Sequence, residues 1–121
     1  MTDDMLSRLF ADPDAVAALR EPLPDTVACP LVEHLKSEAD RYWWIDANRS
    51  LELANLIVLI GERRDDSTQT ALGRMARGDA LKFLGQIEPA WDELEQAGAL
   101  FRAAGDEIGW GRTRIGRLLI S

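Results

Sequence analysis

Few side chains in this chain have the types and spacing that chemistry needs. Asp79 and Lys82 lie one helical turn apart, so they can pair with each other or with the termini and side chains of a peptide. Met75 and Phe83 flank them and offer adaptable apolar contact. His34 is the single histidine, and no other soft ligand stands at helical spacing from it, so a zinc site is not expected. Cys29 is the single cysteine; it has no activating neighbour in sequence and no partner for an intrachain disulfide. The carboxylate pairs Glu93/Glu95 and Asp65/Asp66 read as solvated faces. Gly109-Trp110-Gly111 follows a capping residue and not a strand, so it fails the context test for a phosphate loop. The expectation is binding without catalysis, cofactor or metal.

The elements that must position these residues read as helices. Asp3–Phe10 puts Met5, Leu6, Leu9 and Phe10 on one face, and Asp12-Pro13 interrupts it. Asp14–Leu19 adds a turn or two, and Glu21–Asp25 is an extended connector. Pro30 is expected in the first turn of a helix running to about Trp44, with Leu31, Leu35, Ala39 and Tyr42 as its stripe. Asp46 suits the N-cap of a strongly apolar helix, Ala47–Glu62. The charged run Glu62-Arg63-Arg64-Asp65-Asp66 reads as a solvated loop. Ser67 or Thr68 can cap the next helix, Gln69–Leu84, which Gly85 stops. Pro89 falls in the first turn of the following helix, which Gly105 stops, and Asp106 caps a last one, Glu107–Ile120. No segment alternates as a half-buried strand does.

An internal repeat is visible. Ala47-x-x-x-Leu51-Glu52-x-Ala54 matches Ala90-x-x-x-Leu94-Glu95-x-Ala97, and Asp66 with Ala71 matches Asp106 with Gly111. Gly78, Ala90 and Ala97 are small enough to let two helices approach closely. Gly78, Leu81, Leu84-Gly85, Ala90, Leu94 and Ala97 together resemble the tetratricopeptide repeat (TPR) pattern. Arg77, however, stands where a large apolar residue is usual. The stretch from Ala71 to Leu81, with Leu84-Gly85 and Gly105-Asp106, also resembles TPR segments that precede CHAT peptidase domains.

The resemblance implies an all-α chain of TPR-like antiparallel hairpins in a right-handed superhelical array with an N-terminal helical cap. Residues 1–121 form one helical domain in this reading: cap and connector over 1–27, a degenerate hairpin over 28–66, a clear hairpin over 67–105, and a terminal or capping helix over 106–121. It implies an adaptor or regulatory module, with the first helices of the hairpins lining a groove. Met75, Asp79, Lys82 and Phe83 would face it; the alternative puts Met75 and Phe83 in the core and leaves Asp79–Lys82 as a surface pair. Trp110 lies on the last helix, whose far face has no successor to cover it. With Ile115, Leu118, Leu119 and Ile120 it could dock a partner or a second copy. Of Trp43 and Trp44, one is expected in the core and one as a seal or an interface anchor.

Charge and hydropathy narrow the partners. The net charge is −7, with 21 acidic and 14 basic residues, and an acidic surface repels nucleic-acid phosphate. The longest apolar run, Leu56–Ile60, is far short of a membrane span. Asp3 and Asp4 stand where a signal peptide carries positive charge, so a cytoplasmic setting is expected. Ile120-Ser121 ends the chain abruptly, as a piece of a longer protein would. The partner is therefore expected to be a protein or peptide, with self-association through the C-terminal helix or a small ligand between cap and array as alternatives.

Overall fold

A computed structural model describes the backbone of residues 2–120 and the side-chain surroundings of residues 5–116. The expected strip Leu118, Leu119 and Ile120, and the side chain of Arg117, lie outside those residues. The elements are α1 (Thr2–Ala11), a 3-10 segment (Pro13–Ala18), α2 (Asp25–Tyr42), α3 (Ala47–Arg63), α4 (Ser67–Phe83), α5 (Ile87–Ala103) and α6 (Glu107–Ile120). Among the described residues there is no strand, and no helix is long and apolar enough to cross a membrane.

One turn is used three times. Helices α3, α4, α5 and α6 begin at positions 47, 67, 87 and 107, a constant step of 20. After α3, α4 and α5 the chain passes through a left-handed residue, Asp65 (φ 54°), Gly85 (φ 79°) and Gly105 (φ 77°). The next amide then reaches back to close the helix: Asp66 N to Gly61 O at 2.9 Å, Gln86 N to Leu81 O at 2.9 Å, Asp106 N to Phe101 O at 2.8 Å. This is the paired closure that satisfies the last carbonyls of a helix. The same residue opens the next helix in two of the three cases. Asp66 Oδ1 accepts from Gln69 N (2.9 Å) and Asp106 Oδ1 from Gly109 N (2.8 Å). Asp46 does the same for α3 at 3.2 Å. The cap of α4 is thus Asp66 and not Ser67 or Thr68. Its carboxylate reaches the amide three residues on, which leaves Ser67 as the first helical residue.

Consecutive helices pack antiparallel, and α4 also touches both α2 and α6, so α2, α4 and α6 share one side and α3 and α5 the other. Close crossings set this arrangement. A Cβ on Gly73 of α4 would stand 2.6 Å from the Val58 backbone of α3. Forty residues on, the sizes are exchanged: Gly98 of α5 faces Thr113 of α6 at 2.9 Å. The second crossing repeats the exchange, Gly61 lying under Thr70 and Gly109 under Phe101. One glycine per crossing lets the backbones approach, and which helix carries it is free. The structural repeat is therefore 40 residues. The Ala47/Ala90 match joins positions 43 apart, which lie nearly one turn out of register.

The N-terminal segment covers the first pair of helices. Leu9, Val16 and Leu23 are buried with Val27, Leu31, Leu35, Leu53 and Ile57. Here α2 starts at Asp25, five residues before Pro30, so Pro30 sits inside the helix and not in its first turn. One intrahelical hydrogen bond is lost, but Val27 and Ala28 are completely buried, and that packing outweighs the missing bond. The expected solvated run at 62–66 is also more structural than its charge implied. Arg63 donates to the Val16 and Leu19 carbonyls, and Arg64 to the Leu23 carbonyl and the Asp25 carboxylate. These four acceptors run from the 3-10 segment through the connector to the first residue of α2, where the irregular backbone has few partners of its own.

The three turns predict a contrast. Asp65→Gly removes a side chain from a left-handed position and raises stability by up to about 1 kcal/mol, whereas Gly85→Ala lowers it by about 1 kcal/mol. No atom lies within 4 Å of a Cβ at Gly85, so the loss is conformational and not steric. Urea denaturation of both variants checks the sign; equal losses would rule out the left-handed requirement.

Candidate functional site

The side formed by α2, α4 and α6 carries a cleft of about 210 Å³. Helix α2 contributes Lys36 and Asp40, and Trp43 follows at its C-cap, at the helical spacing of four and seven. Helix α4 contributes Met75, Asp79 and Lys82, and α6 contributes Arg112, Ile115 and Gly116. Gly116 makes room, since a Cβ there would meet Leu94 at 3.3 Å and Asp79 Oδ1 at 3.8 Å.

Asp79 is the unusual group. It is 8% exposed, and among the described residues its carboxylate accepts no hydrogen bond. Its nearest cation, Lys82 Nζ, is 4.0 Å away. Lys36 is engaged elsewhere, with Nζ at 2.7 Å from both Asp40 oxygens. Burial raises the Asp79 carboxyl to about 6, against the pull of Lys36, Lys82 and Arg112. Desolvation thus exceeds the attraction of three cations, because none of them makes a direct bond. The indole Nε1 of Trp43 is a buried polar atom at the cleft without a hydrogen bond among the described residues. Buried groups of this kind are rare enough to mark places that await a partner.

The expected site residues divide. Met75, Asp79 and Lys82 come together in the cleft. Met75 is also core, 3% exposed and packed with Ala71, Leu94, Ala97 and Phe101. Phe83 lies beside the cleft at the α4 C-terminus. It stacks on Trp43 (5.6 Å between centroids), and Trp44 meets it edge-on at 5.0 Å. Trp43 is half-buried and Trp44 is 79% exposed. Trp110 is elsewhere, packed on the second core between the guanidinium groups of Arg102 (5.0 Å) and Arg114 (5.3 Å). Sequence reasoning missed Lys36, Asp40 and Arg112. The signal for the first two was present in the spacing Lys36-x-x-x-Asp40 on the polar side of the Leu31/Leu35/Ala39 stripe. Arg112 showed only as part of a basic C-terminal stretch.

A second cleft, about 220 Å³, opens between the N-terminal segment and α2–α3, lined by Phe10, Pro13, His34, Glu38, Arg41, Tyr42, Arg49 and Leu53. His34 is not a bare surface residue: it stacks on Phe10 at 4.2 Å. Both arginines there are already paired, Arg41 with Glu38 and Arg49 with Asp14 and Glu52. Cys29 is exposed. No three His, Cys, Asp or Glu side chains among the described residues are grouped to hold a metal ion.

No protein-family model matches the chain, and no curated protein or solved structure matches it. The geometry alone carries the functional argument.

Asp79 yields a stability prediction. Its folded carboxyl protonates near 6, above the ordinary carboxylate range, so the folded state holds this proton more tightly than the unfolded chain. The contribution of Asp79 to stability is then most favourable below about 4 and is lost as pH rises through about 6. Asp79→Asn should raise stability at neutral pH by on the order of 2 kcal/mol and add little near pH 4. Thermal melts of both proteins across that range check it; a gain that does not vary with pH would assign the effect to packing.

Proposed function

We propose that the chain is a non-catalytic adaptor or regulatory module that binds an acidic peptide segment in the α2/α4/α6 cleft. The observation that carries this reading is the convergence of Lys36, Lys82 and Arg112, one from each of three helices, in a chain whose net charge is −7. An island of cations on an acidic body draws an anion to one place and repels it elsewhere. The apolar atoms of Met75, Trp43 and Ile115 give the peptide something to bury. The Phe83–Trp44 edge extends that surface beyond the cleft.

The TPR-like reading belongs to this proposal. Alternate helices sharing one side agree with the first helices of successive hairpins lining a groove. The 40-residue step is longer than the TPR repeat of about 34 residues, so the kinship we propose lies in the stacking mode and not in the period. A right-handed superhelical array and a cytoplasmic setting complete the reading.

If this is right, an acidic peptide binds with an affinity that falls as salt rises, and Lys82→Glu or Arg112→Glu weakens it by about tenfold or more. The melting temperature should hardly move for Arg112→Glu, which is exposed. Fluorescence anisotropy of a labelled peptide measures this; binding that ignores both reversals would exclude the cleft.

A second reading has one observation in its favour. Ile108 is 80% exposed, Ile115 is 60% exposed, and Gly111 between them has open space above it. At positions i, i+3 and i+7 they form one apolar stripe on α6, suited to self-association through the last helix. Sedimentation velocity across a concentration series should then show a dimer that Ile108→Glu dissolves. A monomer throughout removes this reading and leaves the peptide reading untouched.

A further inference from the structure

We propose that Asp79 is the specificity-determining residue of the cleft: it admits a carboxylate of the bound peptide together with one proton, held as a hydrogen bond between the Asp79 carboxyl and the ligand's carboxylate. The inference rests on the peptide reading above and adds what the cleft selects and how selection responds to pH. A cleft built only to hold an anion would not place a carboxylate at its centre. Asp79 nevertheless stands there, buried, with no hydrogen bond among the described residues and with Lys82 at 4.0 Å.

Among the described residues, the charged groups facing it are Lys36 and Asp40 of α2, Lys82 of its own helix and Arg112 of α6. On the other side of α4, Arg74 and Arg77 are turned to Glu93 of α5, and Arg77 also to Asn55 of α3. With Asp79 ionised, three cations in the cleft oppose two carboxylates; with Asp79 neutral, they oppose one. The neutral carboxyl also supplies an O–H donor that an incoming carboxylate can accept, whereas the ionised form offers only repulsion. The proton comes from solvent, and no other bond changes. Burial already holds the free carboxyl near 6, so a modest further rise on binding brings proton uptake to neutral pH. Affinity is then greatest below about pH 6 and weakens as pH rises above it, by about tenfold for each unit by which the ligand raises Asp79.

The test is calorimetric titration with acetylated, amidated tetraglutamate at about pH 5.5 and about pH 8, in buffers of differing ionisation enthalpy. Expected are binding about tenfold tighter at the lower pH, uptake of close to one proton near neutrality, and an Asp79→Asn variant that binds at both pH values with little difference. His34→Gln, in the other cleft, should keep the wild-type pH dependence, which separates Asp79 from the one histidine. Wild-type binding that is indifferent to pH overturns the proton-coupled selection and leaves the peptide reading standing. So does an Asp79→Asn variant that keeps the full pH dependence. Absence of binding in both proteins at both pH values overturns the two together. Asparagine is nearly isosteric and removes a buried charge, and a melting curve of the variant confirms that it is folded.

Discussion

The step of 20 residues from one helix to the next is the constraint on which the rest depends. It is set by a turn that combines a left-handed residue with an amide reaching back five residues. The turn leaves no slack. After α3, α4 and α5 the chain must reverse within three residues and lie against the helix before, and alternate helices are brought to the same side. Asp79 and Arg112 are thereby brought onto one cleft, and α2, packed on α3 and α4, adds Lys36. A longer or looser connection would let α6 drift from α4 and open the cleft.

Packing and electrostatics pull in different directions at the cleft. The glycine-mediated crossings bring α3 onto α4 and α5 onto α6, and the same compaction removes water from Asp79. Its carboxyl is then desolvated without a hydrogen bond from the described residues in return, a cost that a structure selected only for stability would avoid. Arg77 shows the alternative treatment. It occupies a place where an apolar residue was expected, but its guanidinium is satisfied by Asn55 at 2.8 Å and Glu93 at 3.2 Å. One charged residue on α4 is fully provided for, and another is left wanting on the open side.

Much of the helical architecture was legible from punctuation. Asp46, Gly85, Pro89, Gly105 and Asp106 act locally, through backbone conformation and a single hydrogen bond, and local effects can be read from local sequence. The failures were tertiary. Pro30 was read as a helix start because proline is tolerated there, but burial of Val27 and Ala28 carries the helix back to Asp25. Arg63 and Arg64 were read as solvent-exposed because they sit in a charged run, but they satisfy carbonyls of the N-terminal connector some forty residues away. In the candidate site, Met75, Asp79 and Lys82 were found from one helix alone; their counterparts on α2 and α6 follow only when the three helices are placed side by side.

By itself the sequence determined that the chain is helical and where most of the helices end, because capping and left-handed turn residues act within a few positions. It also determined the acidic character of the body, which is a matter of composition. Only the tertiary structure decided the 40-residue register, because a glycine on either helix satisfies a crossing equally well and a linear match cannot tell which. Only the tertiary structure decided that Asp79 is buried without a hydrogen bond among the described residues, since desolvation depends on neighbours brought from three helices.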